Sequence, residues 1–374
     1  MITFEPVPYH PPTWATTRPG ILLPSHRIPL GLLPTPIQRW TPPGLPEGVA
    51  LYMKRDDLTG MQLSGNKVRK LEFILAEAKA QGHDCVVTLG GIQSNHARAT
   101  AVAARYVGLD AHLILRTSRA IVDQDPGLVG NLLLNRLMGA HIHLVTKEEY
   151  SQHGQIVLGQ ELVARLRQEG RNPYFIPVGG SSGLGTWGYI EMANEVLQQA
   201  SEEGLNLTDI VTACGSGGTT AGLAVGTTLS GSGIRVTGYM VCDDEAYFRN
   251  HINNEILNKI GFDSEGSGGA DILSSCRFVQ AKGKGYALSH VEEVQTVSDV
   301  AAATGVILDP VYTGKALHTM LEEMNRSPEE WKGRSVLFVH TGGLLGLYEQ
   351  SKLLLDVLSS NQDRVHRLTL PRVA

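Results

Sequence analysis

Cysteine is scarce in this chain: Cys85, Cys214, Cys242 and Cys276 lie far apart, and no C-x-x-C occurs. That spacing excludes a disulfide-stapled scaffold and offers no metal-binding or redox pair. It predicts reduced thiols in a cytoplasmic protein with no metal. Charge is scarce as well, at 18% of residues, with a net charge of −5. No basic surface for nucleic acid or another polyanion is expected. No apolar run approaches the roughly 18 residues that would suggest a membrane span. The opening MITFEPVPYHPPTWATTRPG has no signal-peptide apolar core, and its Glu5 and prolines make a poor transit helix.

What is abundant is glycine, 42 residues among 374, beside a hydrophobic content of 42%. Such a chain is globular, and it is long for a single core, so two lobes are the default. Many glycines with little charge suit an α/β enzyme with tight turns and close approaches to a phosphate ligand.

The first 50 residues are Pro-rich (HPPTW, LLPTPIQRW, TPPGLPEG). They predict an irregular arm, because Pro removes backbone donors. VALYMKRDD then reads as a strand, and from residue 65 helix and strand patterns alternate. NKVRKLEFILAEAKAQG puts Val68, Leu71, Ile74, Leu75 and Ala78 on one helical face. DCVVTLGG, AHLILR, HIHLV, YFIPVGG, DIVTACGSGG, IRVTGYMV and SVLFVHTGG read as strands, most with a helical stretch before the next. Near-continuous apolar strands separated by helices indicate parallel sheets buried on both faces. Two clusters of them predict two sheets with a cleft between. GFDSEGSGGAD (261–271) is the best candidate for a mobile surface loop.

Four turns follow strands: LGGIQSN (89–95), VGGSSGLG (178–185), ACGSGGTTAG (213–222) and HTGGLLG (340–346). Ligands of open α/β sheets bind beyond the carboxyl ends of the strands, so these turns could share one cleft. In ACGSGGTTAG a strand ends at Cys214 and a helix begins near Thr219. Open N–H groups and the helix N-terminus make an anion site there, with hydroxyls from Ser216, Thr219 and Thr220. The plainer reading is a β–α turn using glycine for packing. A dinucleotide fingerprint is a third. SGNKVRK (64–70) opens a helix that Ser64 or Asn66 can cap, placing Lys67 in the first turn. A poorly solvated lysine there, facing the positive helix end, has the free amine that Schiff-base chemistry needs. Otherwise Lys67, Arg69 and Lys70 are a solvated basic face. Ser94 reads equally as a helix N-cap, His96 as a structural histidine before a base, and Tyr312 as a packing residue, while Tyr286 in KGKGYALS has Gly and lysine neighbours unusual for a core position.

Together these motifs (KRDD, SGNKVRKLEF, GGIQSNH, IPVGGSS-LG, GSGGT-AG, ILDPVYTGK and HTGG) resemble the tryptophan-synthase-β-like, fold type II pyridoxal-phosphate (PLP) enzymes. The branch they resemble holds 1-aminocyclopropane-1-carboxylate (ACC) deaminases and D-cysteine desulfhydrases. Plant-type desulfhydrases are the most similar, sharing GTWGYIE and AKGKGYA. The resemblance covers over 85% of the chain, from WATTRPG to HTGGLLGLYEQ. It implies an α/β fold of two open twisted parallel sheets, with a small domain (65–181) inserted into a large one (1–64 and 182–374). The family is usually dimeric. By the resemblance Lys67 holds PLP and Asn95 bonds the pyridine 3-oxygen. Ser216, Gly217, Gly218, Thr219 and Thr220 cradle the phosphate, and Ser94 binds the substrate carboxylate. Tyr312 stacks on the pyridine ring and, with Tyr286, stands near the reacting carbons. Thr313 and Thr341 stand where ACC deaminases carry Glu, facing the pyridine nitrogen, and Leu. A hydroxyl leaves that nitrogen largely neutral, a weaker electron sink. The implied activity is a lyase that converts D-cysteine to pyruvate, hydrogen sulfide and ammonia, with 3-chloro-D-alanine as an analogue substrate. ACC deamination is the alternative. Lys67 is the natural base, and Tyr312 or Tyr286 would replace it if a D-substrate presents its proton to the opposite face.

Overall fold

The computed structural model describes residues 4–262, 269–360 and Leu368. After the short elements of the N-terminal arm, strands β1 (Ile37–Arg39) and β2 (Ala50–Lys54) are followed by helix α1 (Lys67–Ala80). Four strands follow: β3 (Cys85–Gly91), β4 (Asp110–Thr117), β5 (His141–Thr146) and β6 (Pro173–Ile176). Between them run α2 (Asn95–Tyr106), α3 (Gly130–Leu137) and α4 (Lys147–Gln168). The chain continues through α5 (Gly183–Glu203), β7 (Asp209–Cys214), α6 (Gly218–Leu229), β8 (Arg235–Met240) and β9 (Cys276–Gln280). It then forms α7 (Val291–Thr304), α8 (Thr313–Arg326) and β10 (Ser335–Val339).

Two sheets result. The smaller has the order β5-β4-β3-β6 and is wholly parallel. The larger has the order β9-β8-β7-β10-β2-β1, parallel except for β1 at its edge. Side chains alternate across each sheet. Val86 packs on one face of the smaller sheet with α1 and α2 residues, and Val87 on the other with Leu162 and Leu166 of α4. Ile210 and Val211 divide in the same way between the faces of the larger sheet. Burial on both faces is why these strands read as unbroken apolar runs.

The Pro-rich arm is less irregular than its sequence predicts. Val7–Pro8 pairs antiparallel with His26–Arg27, and Ile37–Arg39 adds the edge strand β1. Pro is tolerated at such edges. Most of the loop expected over 261–271 lies outside the described residues, and the helix Gly269–Ser275 begins within its last three positions. Strand β9 carried no clear sequence signal. It pairs with β8 from the end of this stretch.

A buried polar network ties α1 to β2 and α5. Arg69, 1% exposed, bonds Asp56 through Nε and Nη2 at 2.9 and 2.8 Å and Glu195 through Nη1 at 2.9 Å. Lys54 Nζ pairs with Glu195 at 2.5 Å, and the Tyr189 hydroxyl donates to Asp56 at 2.7 Å. Burial alone would raise the Glu195 carboxyl, but the Arg69 and Lys54 cations overrule it and hold it at about 2. A carboxyl depressed on folding stabilises the fold above its ordinary value near 4.5, and that contribution disappears as pH falls from there toward 2. Thermal melts between pH 5 and 2 are therefore expected to fall more steeply for the wild type than for Glu195→Gln. Parallel curves would assign the acid response to other groups.

Candidate active site

The conspicuous turns all leave the carboxyl ends of parallel strands: 55–66 after β2, 92–94 after β3, 177–182 after β6, 215–217 after β7 and 340–343 after β10. Direct contacts join them. Asn66 N donates to the Thr341 carbonyl at 3.1 Å, and Asn66 Nδ2 to Thr219 Oγ1 at 3.1 Å. A Cβ on Gly65 would lie 2.7 Å from the Thr341 oxygen, so the turn before Lys67 admits only glycine there.

Lys67 is the first residue of α1. Neither expected cap forms: Ser64 Oγ donates back to the Asp57 carbonyl, and Asn66 turns its amide to Thr219. Burial pulls the Lys67 ammonium down to about 8. One turn on, Lys70 is fully buried, and its Nζ donates to the Gly179 carbonyl at 3.2 Å and Ser181 Oγ at 3.1 Å. Burial first, and Lys67 second, push its amine well below the usual lysine range.

Lys70 borders the 213–222 turn: a Cβ on Gly218 would lie 2.8 Å from its Nζ. Ser181 Oγ lies 2.7 Å from Ser216 Oγ and accepts from Gly218 N at 3.3 Å. Gly217 has φ 84°, which turns the chain into α6. The first intrahelical bond is Ala221 N to the Gly217 carbonyl. The N–H groups of Thr219 and Thr220 thus stand free of the helix ladder at its positive end. Thr220 contributes only its backbone here, since its side chain packs toward Gly238 and Cys214. Open N–H groups, small hydroxyls and a buried lysine fit a phosphate. Lys70 was not singled out in the sequence, because only the fold separates it from a surface lysine.

Ser94 caps α2 by accepting from Ala97 N at 3.1 Å, and keeps its hydroxyl proton to donate. Asn95 Oδ1 accepts from Asn131 Nδ2 at 2.9 Å. Arg98, fully buried, donates to Asn131 Oδ1 at 3.1 Å and to the Gln62 and Ser64 carbonyls at 2.5 and 2.8 Å. It thereby holds the segment ahead of Lys67. The Thr88 hydroxyl donates to the Ile176 carbonyl, so the His96 Nε2–H donates to Thr88 Oγ1 at 2.8 Å. Burial, with Lys67 and Lys70 adding to it, keeps His96 neutral. It is a structural histidine.

The Tyr312 ring lies against Gly215, where a Cβ would approach it to 2.8 Å. Its hydroxyl is 2.7 Å from that of Tyr286. Burial raises both phenols, so the pair stays protonated at neutral pH. Arg116, at the end of β4, stands 5.5 Å over the Tyr286 ring. Thr313 is fully buried, and its hydroxyl donates to Asp309 Oδ1 at 2.7 Å. Its proton therefore points to Asp309, contrary to the expectation of a hydroxyl facing a ring nitrogen. Asp309 also accepts from the Val311, Tyr312 and Thr313 N–H groups at 2.9–3.0 Å. It fixes the tyrosine turn, a role its place before Pro310 did not advertise. Thr341 is half-buried beside Gly65.

Residues 28–342 match the family model described as pyridoxal-phosphate dependent enzyme. The chain belongs to that family. PLP is its cofactor. The chain is 53% identical over 94% of its length, and 86% of the relative's, to the Arabidopsis thaliana bifunctional D-cysteine desulfhydrase/1-aminocyclopropane-1-carboxylate deaminase, mitochondrial. A putative 1-aminocyclopropane-1-carboxylate deaminase of Thermotoga maritima is 40% identical over 88% of this chain and 100% of its own. Among solved structures, an ACC deaminase homologue superposes with a TM-score of 0.74 at 33% identity, covering 94% of this chain and all of that one. O-ureido-L-serine synthase, at 18% identity and a TM-score of 0.63 over 90% of this chain and 95% of its own, shares the fold. No helix among the described residues is long and apolar enough to cross a membrane.

Proposed function

We propose that this enzyme eliminates hydrogen sulfide from D-cysteine, leaving pyruvate and ammonia. The observation that carries the reading is the contrast between one amine and two phenols. Burial holds Lys67 near 8, within reach of its free form, while Tyr312 and Tyr286 stay protonated. A base and an acid are therefore distinct at neutral pH. PLP, bound by Lys67, would draw electron density from the substrate Cα. Lys67, released by the incoming substrate amine, takes the Cα proton. The Tyr312–Tyr286 pair supplies a proton to the hydrosulfide leaving Cβ. Water converts the released aminoacrylate to pyruvate and ammonia.

Binding roles follow the same placement. The N–H groups of Thr219 and Thr220, the Ser216 hydroxyl and the Lys70 Nζ hold the phosphate, in a turn shaped by Gly217 and Gly218. Asn95 donates to the ring 3-oxygen, and Ser94 donates to the substrate carboxylate at the N-terminus of α2. Tyr312 lies along the ring. Thr341, and not the inward-turned Thr313, is the hydroxyl for the ring nitrogen. The nearby carboxylate of Asp309 is occupied by three backbone N–H groups and Thr313. That favours elimination of a good leaving group over opening a cyclopropane ring. ACC deamination is the second reading, favoured by the Thermotoga relative and by one of the two activities of the bifunctional Arabidopsis relative.

Sulfide and pyruvate release from D-cysteine, with L-cysteine, ACC and 3-chloro-D-alanine in parallel, tests the proposal. D-cysteine is expected to exceed ACC by roughly a hundredfold in kcat/KM. Faster turnover of ACC would overturn the substrate and leave Lys67 standing. The reading also takes 65–181 as a small domain inserted between 1–64 and 182–374, a division supported by the two separate sheets. It includes a homodimer, supported by exposed Leu344, Tyr348, Leu355 and Leu358, and a cytoplasmic site, one of the reducing compartments that four unpaired cysteines fit, the mitochondrion named for the Arabidopsis relative being another. Light scattering and cell fractionation check these two.

A further inference from the structure

An asparagine amide presents a carbonyl on one side and an NH2 on the other, and its neighbours decide which side faces a ligand. For Asn95 the decision begins at Arg98. A guanidinium only donates, so the Asn131 atom that meets Arg98 Nε at 3.1 Å is its carbonyl oxygen. Asn131 Nδ2 must then face the other way, where it donates to the Gln93 carbonyl and to Asn95 Oδ1, both at 2.9 Å. The carbonyl of Asn95 is thereby taken, and its own NH2 is left as the free end. Asn131 and Arg98 are both buried, and among the described residues no carboxylate pairs with Arg98. A buried cation thus stands behind a chain of two amides, all pointing their donors the same way. Hydrogen bonds in such a chain polarise one another, the more so away from water.

We propose that Arg98 and Asn131 are positioning residues forming a polarity relay. It turns the Asn95 N–H toward the cofactor's anionic 3-oxygen and strengthens it as a donor. The inference rests on the reading of Asn95 as the residue at that oxygen. It adds that the ring oxygen is the counter-charge Arg98 lacks within the protein. Gly130 makes the arrangement possible. Its φ of 57° and the 2.6 Å approach of Gln93 Oε1 to a would-be Cβ let α3 start against the Gln93–Asn95 turn.

The test compares N131D and N131A with the wild type, each stripped of cofactor and titrated with PLP. The readings are PLP affinity and the pH midpoint of the bound cofactor's visible absorption change. N131D keeps size and gains an ion pair with Arg98, and both variants lose the bond to the Gln93 carbonyl, so a purely structural role predicts no more damage for N131D than for N131A. The relay predicts the reverse order. The carboxylate that N131D introduces cannot donate, so it forces the Asn95 amide to turn and present its carbonyl to the oxyanion. PLP affinity of N131D is expected to fall about tenfold or more, beyond N131A. Its pH midpoint should rise by roughly one unit, because a lost hydrogen bond to the oxide leaves the neighbouring group more basic. R98K keeps the charge but loses the fork, and should move both readings the same way by less. It serves if N131D does not fold. Unchanged affinity and midpoint in the folded variant overturn the relay. A wild type that takes up no PLP is a different result, and overturns the cofactor reading beneath it.

Discussion

Replacing Lys67 by alanine is expected to abolish the lysine-bound cofactor's absorption band and to cut D-cysteine turnover about ten-thousandfold or more. The size of the effect follows from two tasks resting on one amine. Lys67 holds the cofactor, and on release it removes the Cα proton, so no second group remains to cover either loss. Burial that brings this amine to about 8 adds a pH signature. Cofactor uptake by the stripped wild type should quicken as pH rises through that value, because the free amine is the nucleophile. The nearest amine on the same helix offers the informative control. Lys70→Ala should keep the band at high cofactor concentration while weakening PLP binding, since its amine meets the phosphate turn and not the carbonyl carbon. A full band in Lys67→Ala, lost instead in Lys70→Ala, would exchange the two assignments.

The second large effect is on stability. Arg69→Met leaves Asp56 and Glu195 buried with only Lys54 as a cation, and removes the fork that bonded both. Breaking a buried ionic network from one side costs about 3–5 kcal/mol, because the stranded charges cannot regain water. The thermal midpoint should fall on the order of five to ten degrees. Adding Asp56→Asn and Glu195→Gln to Arg69→Met should recover part of that loss, as the stranded charges then disappear. No recovery would mean that packing around the Arg69 stem, and not charge, carries the effect. Arg69 lies two residues after Lys67, so the single variant should also lower turnover at temperatures where it remains folded.

Much of this architecture was legible in the chain because its signals are local. Largely apolar runs such as 85–89 and 210–214 read as buried parallel strands, and the glycine turns after them mark the cleft. Lys67 stood out only through the ordered motifs around it. What escaped was side-chain direction. Lys70, Arg98 and Asn131 read as ordinary helical residues, and their importance lies in which groups they meet across long stretches of intervening chain. Asp309 hides in the same way behind Pro310, its carboxylate being a turn-former. Thr313 shows the reverse failing. Its place in DPVYTGK suggested a hydroxyl facing the ring, but the four-residue loop back to Asp309 satisfies that hydroxyl first. Strand β9 escaped because only its pairing with β8 defines it.

The place of β10 in the larger sheet has a consequence for biosynthesis. It lies between β7 and β2, yet it comes from near the far end of the chain, while β2 comes from near the beginning. On a ribosome, residues 85–176 can close their four-stranded sheet as soon as they emerge. The segment that ends in Lys67 cannot, because β2 has only the three-residue β1 to pair with until residue 339 is made. Contacts of that span form late. The nascent chain is therefore expected to carry a formed half and a waiting half for most of its synthesis, and to capture cofactor only after residue 339 is made.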